Sequence, residues 1–231
     1  MKAVVLAGGF GTRLRERVAD LPKPMAPIAG RPFLEYLLDR LAAAHFSEVL
    51  LSVGYLAKRI EAHFGNCYRG MTLRYSVEAE PLGTGGAIAL ALADCPDEAV
   101  VVLNGDTFVE LDFADFLAAY AAAPEDAFVA LRQVDDVARF GEVVVEDGRA
   151  TRFSEKGRSG PGWINAGIYV LRSRVFARHG LAGRFSLESD LLQAHCAELR
   201  PRVFRTDGYF IDIGIPAEFD RAQTELPALG R

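Results

Sequence analysis

Residues 3–14 read Ala-Val-Val-Leu-Ala-Gly-Gly-Phe-Gly-Thr-Arg-Leu. Ala3 to Ala7 is a short apolar run ended by glycines, which predicts a buried parallel strand. Gly8, Gly9 and Gly11 fall within four positions directly after it. Glycine tolerates positive φ and lets a backbone approach a ligand closely. Successive amide N–H groups in such a turn cradle phosphate. Thr12 adds a hydroxyl, and the planar fork of Arg13 suits phosphate oxygens. The turn from Leu6 and Ala7 to Arg13 is therefore a candidate triphosphate site. Its G-G-x-G-T-R spacing is neither a Walker pattern nor G-x-G-x-x-G. Taken alone, it also fits a tight glycine turn with an exposed arginine.

Working outward, the pattern predicts helices over 32–44, 56–64, 84–93 and 113–122, the last with Asp112 as its N-cap. Strands are predicted over 48–53, 72–77 and 99–103. Alternation of this kind implies an α/β fold: a Rossmann-like, mixed but mostly parallel sheet with helices on both faces. Ligands on such sheets bind at the carboxyl ends of the strands, where the glycine turn, a second glycine-rich turn at Gly83 and Asn104-Gly105-Asp106 all fall. After Asp126 the strands shorten, to 127–132, 142–145, 149–153, 168–171, 202–204 and 210–213, with a hairpin turn at Asp147-Gly148. Helices are predicted over 187–198 and 217–225. No stretch has the composition of a linker, so one domain is expected. Residues 1–125 would form its nucleotide-binding half and residues 126–231 its sugar-phosphate-binding half.

Other residues carry chemistry of their own. In Leu21-Pro-Lys-Pro-Met-Ala-Pro27, three prolines stiffen an extended segment and aim the Lys23 ammonium. In Glu80-Pro-Leu-Gly-Thr-Gly-Gly-Ala87, the glycines at 83, 85 and 86 let a flat base approach the backbone beside Thr84. The Glu80 carboxylate only accepts hydrogen bonds. Guanine presents two adjacent donors, so Glu80 favours guanine, although a solvated loop glutamate would read the same way. Asp106, at a strand end, is a natural Mg²⁺ ligand. Asp212, between isoleucines, would be a costly unpaired charge, and a shared metal with Asp106 resolves that cost. The four histidines are scattered and receive no catalytic role.

Together, LAGGFGTRL and LPKPMAP resemble the sugar-1-phosphate nucleotidyltransferases, a similarity that runs nearly end to end. The resemblance implies a nucleotidyltransferase (GT-A-like) fold and formation of a nucleotide sugar and pyrophosphate from a nucleoside triphosphate and a sugar 1-phosphate. By the same resemblance Arg13, Lys23, Asp106 and Asp212 are catalytic, the two aspartates binding Mg²⁺. Asn104, Gly141, Glu155, Lys156, Asn165 and Gly167 would hold the sugar phosphate. Gly157 stands where the family's E-K-P motif has proline. Within the family, FSLESDLL (185–192) and FIDIGIP (210–216), taken with the motifs above, are most similar to the D-glycero-α-D-manno-heptose 1-phosphate guanylyltransferases, which use GTP. Mannose-1-phosphate guanylyltransferases and N-acetylmuramate-1-phosphate uridylyltransferases share most of these motifs. A non-catalytic nucleotide-sugar sensor need not keep Arg13, Lys23, Asp106 and Asp212 together. A glycosyltransferase of related fold would want a D-x-D motif that Asn104-Gly105-Asp106 lacks.

Composition narrows the class further. Of 231 residues half are hydrophobic and a quarter charged, as in a globular protein, and the net charge of −5 argues against nucleic-acid partners. No apolar stretch approaches a membrane span, and no secretory signal is legible. The three cysteines lack metal-ligand spacing and are expected as reduced thiols of a cytoplasmic protein. A homo-oligomer is compatible with all of this.

Overall fold

The computed structural model describes residues 1–9, 18, 21–54, 56–93, 95 and 99–229. The described chain gathers into two compact units, neither of them continuous in sequence. The first comprises residues 1–80, 103–109 and 210–231, and the second residues 81–102 and 110–209.

In the first unit, β1 (Lys2–Leu6) leads through the short hairpin β2 (Pro27–Ile28) and β3 (Arg31–Pro32) into α1 (Phe33–Ala43). Phe33, Leu34, Leu37, Leu38 and Leu41 fall on one helical face and are buried. Each contributes about 1.5–3 kcal/mol relative to exposure. After α1 come β4 (Glu48–Val53), α2 (Ala57–Phe64), β5 (Cys67–Tyr68) and β6 (Met71–Val77). β1 pairs parallel with β4, and β4 with β6, while β5 lies antiparallel on β6. Two β–α–β crossovers thus align the carboxyl ends of β1, β4 and β6 at one edge.

In the second unit, α3 (Gly83–Leu92) precedes β7 (Ala99–Asn104), whose last two residues belong to the first unit. β8 (Thr107–Val109), which belongs to the first unit, then leads through Asp112 to α4 (Phe113–Ala122). The expected cap is present: Asp112 Oδ1 accepts from the N–H groups of Ala114 and Asp115 at 2.7 and 3.1 Å. The strands that follow are β9 (Ala127–Val134), β10 (Val143–Glu146), β11 (Arg149–Phe153) and β12 (Gly162–Arg172). A short α5 (Arg174–Arg178), a π-helical turn over Leu187–Gln193 and α6 (Cys196–Leu199) precede β13 (Arg202–Thr206). The strand order is β10-β11-β13-β9-β12-β7. β13 runs parallel to β9, and the β12–β9, β11–β13 and β10–β11 pairs are antiparallel. β14 (Phe210–Asp212) and α7 (Pro216–Leu229) return the chain to the first unit.

The α/β class and mixed sheet are as expected from the sequence, and the hairpin turn is too, with positive φ at both Asp147 and Gly148. Several details differ. Lys23–Met25 is a 3₁₀ turn rather than extended, closed by the Met25 N–H on the Pro22 carbonyl (2.8 Å). A proline in a first turn gives up an N–H that has no partner there anyway. The expected helix 187–198 divides into the π-helical turn and α6. β12 starts six residues before the expected 168, because a bulge between Asn165 and Tyr169 breaks the alternation. All three cysteines are free, and no helix among the described residues is long and apolar enough to cross a membrane.

Asp112→Ala removes the α4 cap and is expected to cost about 1 kcal/mol. Urea unfolding should show a lower midpoint with an unchanged slope.

Candidate active site

In the first unit the site begins where β1 ends. The Ala7 N–H donates to the Ser52 carbonyl (2.7 Å), and the Gly105 N–H donates to the Leu6 carbonyl (3.0 Å). A methyl group on Gly105 would lie 2.2 Å from that carbonyl oxygen. Only glycine allows the Asn104-Gly105-Asp106 turn to pass so close to β1. The turn opens into β8, which pairs antiparallel with β14 so that Thr107 faces Asp212. The Ile213 N–H closes the ribbon on the Asp106 carbonyl (3.0 Å). Two aspartates far apart in sequence thereby come to the same end of a two-stranded ribbon.

Lys23 completes the group. Its ammonium lies 2.5 Å from Asp106 Oδ2 and 3.7 Å from Asp212 Oδ1. The Lys23 side chain is 13% exposed, and Asp106 and Asp212 are 37% and 29% exposed. The Thr107 hydroxyl donates to Asp106 Oδ1 (3.2 Å), and the Gly214 N–H donates to Asp212 Oδ1 (2.8 Å). A methyl group on Gly214 would come within 2.8 Å of both Asp212 Oδ1 and Lys23 Nζ. The two carboxylates already share one positive charge, so their donor set suits a hard cation. The neighbouring Asn104 amide oxygen is buried with no hydrogen-bond partner among the described residues. A buried acceptor of this kind calls for a donor from outside the described chain.

Gly8 lies under a different carboxylate. A methyl group there would be 2.8 Å from Glu78 Oε1 and 3.2 Å from the Gly54 nitrogen. Glu78 is half-buried at the carboxyl end of β6, whereas Gly9 and Glu80 are exposed. Sequence reasoning passed over Glu78, although the strand-end rule that selected the other positions applies to it as well. The proposed phosphate contacts of Gly11, Thr12 and Arg13 lie outside the described residues.

In the second unit the Gly83 turn is packed against the segment before the π-helical turn. Methyl groups on Gly83, Gly85 and Gly86 would lie 2.5 Å from the Phe185 carbonyl oxygen, 2.2 Å from the Phe185 ring and 2.3 Å from the Gly183 carbonyl oxygen. The Gly85 and Gly86 N–H groups both donate to Phe185 (3.1 and 3.2 Å). Thr84 donates its hydroxyl to Glu188 (2.5 Å) and accepts from the Leu187 N–H (2.9 Å). This close packing is sufficient reason for three glycines.

The sugar-phosphate motifs also lie in the second unit. Gly141, at φ +87°, runs against Ser154, where a methyl group would meet the carbonyl oxygen at 2.4 Å. Glu155 and Lys156 follow, both exposed. Gly157 has φ +116° and donates its N–H to Ala138 (2.9 Å). Proline could do neither, so the hydrogen bond steadies this turn where the family motif uses a ring. In the β12 bulge, Asn165 Oδ1 accepts from the Gly167 N–H (3.0 Å), and its Nδ2 donates to the Tyr169 hydroxyl (2.8 Å). The amide is fixed from both ends.

The profile of the nucleotidyl transferase family matches residues 2–228. The chain belongs to that family. This nucleotidyl transferase is 42% identical over 226 residues to D-glycero-alpha-D-manno-heptose 1-phosphate guanylyltransferase of Aneurinibacillus thermoaerophilus, covering 98% of each chain. It is 41% identical to the protein of that name in Campylobacter jejuni, covering 95% of this chain and 97% of that one. A mannose-1-phosphate guanylyltransferase of Mycobacterium tuberculosis is 37% identical, over 97% of this chain and 64% of its own length. Among solved structures, HddC from Yersinia pseudotuberculosis complexed with GMP-PN superposes with a TM-score of 0.84 at 36% identity, covering 96% of this chain and 97% of that one.

Gly105→Ala forces the end of β7 away from β1. We expect a loss of stability of about 1–3 kcal/mol, read by denaturant unfolding. Displacement of Asp106 should also weaken divalent-cation binding.

Proposed function

We propose that the chain makes GDP-D-glycero-α-D-manno-heptose and pyrophosphate from GTP and the heptose 1-phosphate. The meeting of Lys23, Asp106 and Asp212 at the β8–β14 ribbon carries the catalytic reading. The two heptose 1-phosphate guanylyltransferases, at 42% and 41% identity, support the choice of sugar and base over the mannose enzyme.

A phosphate oxygen of the sugar forms a bond to the α-phosphorus of GTP as the bond to pyrophosphate breaks. The nucleophile is already an anion, so positioning and charge stabilisation do most of the work. Asp106 and Asp212 would hold Mg²⁺, which when bound neutralises phosphate charge. Lys23 then exchanges its carboxylate partners for phosphate oxygen near the α-position. Arg13 and the amides of Gly8, Gly9, Gly11 and Thr12 hold the triphosphate. Nucleotide contacts come from residues within about 1–125. Most sugar-phosphate contacts (Gly141, Glu155, Lys156, Asn165 and Gly167) come from about 126–231, with Asn104 offering its unpartnered oxygen to a sugar hydroxyl. A guanine N1–H and amino group require a carboxylate, and Glu78 beside Gly8 is better placed than the exposed Glu80.

Purified protein with Mg²⁺ and heptose 1-phosphate should release pyrophosphate with GTP, and poorly with UTP, dTTP, CTP or ATP. Preference for UTP would overturn the base assignment. Asp106→Asn and Asp212→Asn are each expected to lower kcat by about 10²–10³ without unfolding the protein, and full turnover in either would remove the metal assignment.

Two further substitutions separate the roles around the carboxylates. Lys23→Ala removes the ammonium that competes for Asp106 and Asp212, so Mn²⁺ affinity should rise while turnover falls. Glu78→Gln should erode discrimination against UTP more than Glu80→Gln does, as measured by the ratio of kcat/KM values.

A further inference from the structure

The second unit brings together three metal donors that the reaction does not use. His179 follows α5, His195 lies in the joint between the π-helical turn and α6, and Glu198 is on α6. One donor atom from each falls within 4.8 Å of the others. We propose that His179, His195 and Glu198 form a structural cation site for Zn²⁺ or a neighbouring first-row divalent ion.

The spacing is close to what such an ion needs. Tetrahedral Zn²⁺ with nitrogen and oxygen ligands holds its donors about 3.4 Å apart. Nδ1 of His179 is 3.5 Å from Glu198 Oε2, and Nδ1 of His195 is 3.9 Å from the same oxygen. The His195 and Glu198 side chains are 31% and 69% exposed, free enough to close the remaining gap.

A second observation concerns His179 itself. Its side chain is 2% exposed, and its Nδ1 faces Glu198 Oε2 at 3.5 Å. Its neighbours are the Glu198 carboxylate and the ring of His195, 4.5 Å away between centroids. A buried imidazole, a second imidazole and a carboxylate thus surround one point, a donor set that suits Zn²⁺.

Charge and donor type agree. A cavity of about 330 Å³ beside the cluster is lined by His179, Glu198 and three arginines. Each arginine is matched by an acid: Arg149 by Glu125 (2.5 Å), and Arg174 and Arg178 by Asp126 (both 2.7 Å). Glu198 has no arginine partner among the described residues, so two imidazoles and one carboxylate remain for a dication. The cavity leaves room for water as a fourth ligand. Two nitrogen donors select Zn²⁺, Co²⁺ or Ni²⁺ over Mg²⁺, in contrast to the oxygen pair Asp106 and Asp212. A bound ion would pin the end of α5 to the π–α6 joint.

The test uses chelator-stripped full-length protein carrying Asp106→Asn and Asp212→Asn, which silences the oxygen site. Calorimetric titration should show one Zn²⁺ per chain. Both His195→Ala and Glu198→Gln should weaken it at least about tenfold. Co²⁺ should give the visible bands of a tetrahedral complex, and Zn²⁺ should raise the unfolding temperature only while the three ligands are intact. The exposed Glu198 side chain keeps the test valid should His195→Ala fail to fold. Absence of Zn²⁺ binding, or unchanged affinity in either folded variant, overturns the proposal.

Discussion

Asp106 and Asp212 carry the same charge and reach the same place from distant parts of the chain. Two half-exposed carboxylates brought to one place repel unless a cation joins them, and the Lys23 ammonium, 2.5 Å from one and 3.7 Å from the other, supplies that charge. Much of the first unit serves this arrangement. The β8–β14 ribbon sets the register of the two aspartates, the proline-flanked 3₁₀ turn presents the lysine, and the N–H of Gly214 fixes one carboxylate oxygen. A lysine poised on two acids is also a competitor for any metal they bind. The same residue can therefore keep the site intact before substrates arrive and turn to phosphate afterwards. A neutral side chain could do neither.

Close approach of backbones is the second recurring constraint. Gly105 passes the end of β1, Gly8 passes Glu78, and Gly83, Gly85 and Gly86 receive the Phe185 segment. From sequence, Gly8, Gly83, Gly85 and Gly86 read as room for a ligand. At Gly85 and Gly86 the structure gives a different reason, since their N–H groups are occupied by the Phe185 carbonyl. A glycine-rich motif is thus a statement about crowding, and the crowding partner can be the protein itself.

What the sequence made legible follows the strength of local signals. β1, β4, β6 and α1 carry long apolar periods, and their ends agree with expectation to within a residue or two. The short β2, β3, β5 and β8 strands have no period to read, because two or three residues cannot display alternation. The ribbon that joins Asp106 to Asp212 is among them. Its existence depends on a pairing between residues 107–109 and 210–212, which no local pattern encodes. The two aspartates could be proposed as partners because a charged residue between isoleucines demands one and because the family resemblance pairs them. Interleaving of the two compact units is equally non-local.

Glu78 illustrates the limit most sharply. Sequence chemistry started from Glu80, the residue opening the glycine-rich motif, and inferred guanine from its acceptor-only carboxylate. The alternation of β6, continued past its end at Val77, would put Glu78 and Glu80 on the same side, so pattern alone does not separate them. Burial does: Glu78 is half-buried against Gly8, and Glu80 points to solvent. A carboxylate that reads a base must exclude water from the hydrogen bonds it makes, or the wrong base loses nothing by leaving its groups unpaired. Of Glu78 and Glu80, it is Glu78 that the fold partly desolvates, and the proposed discrimination rests on it.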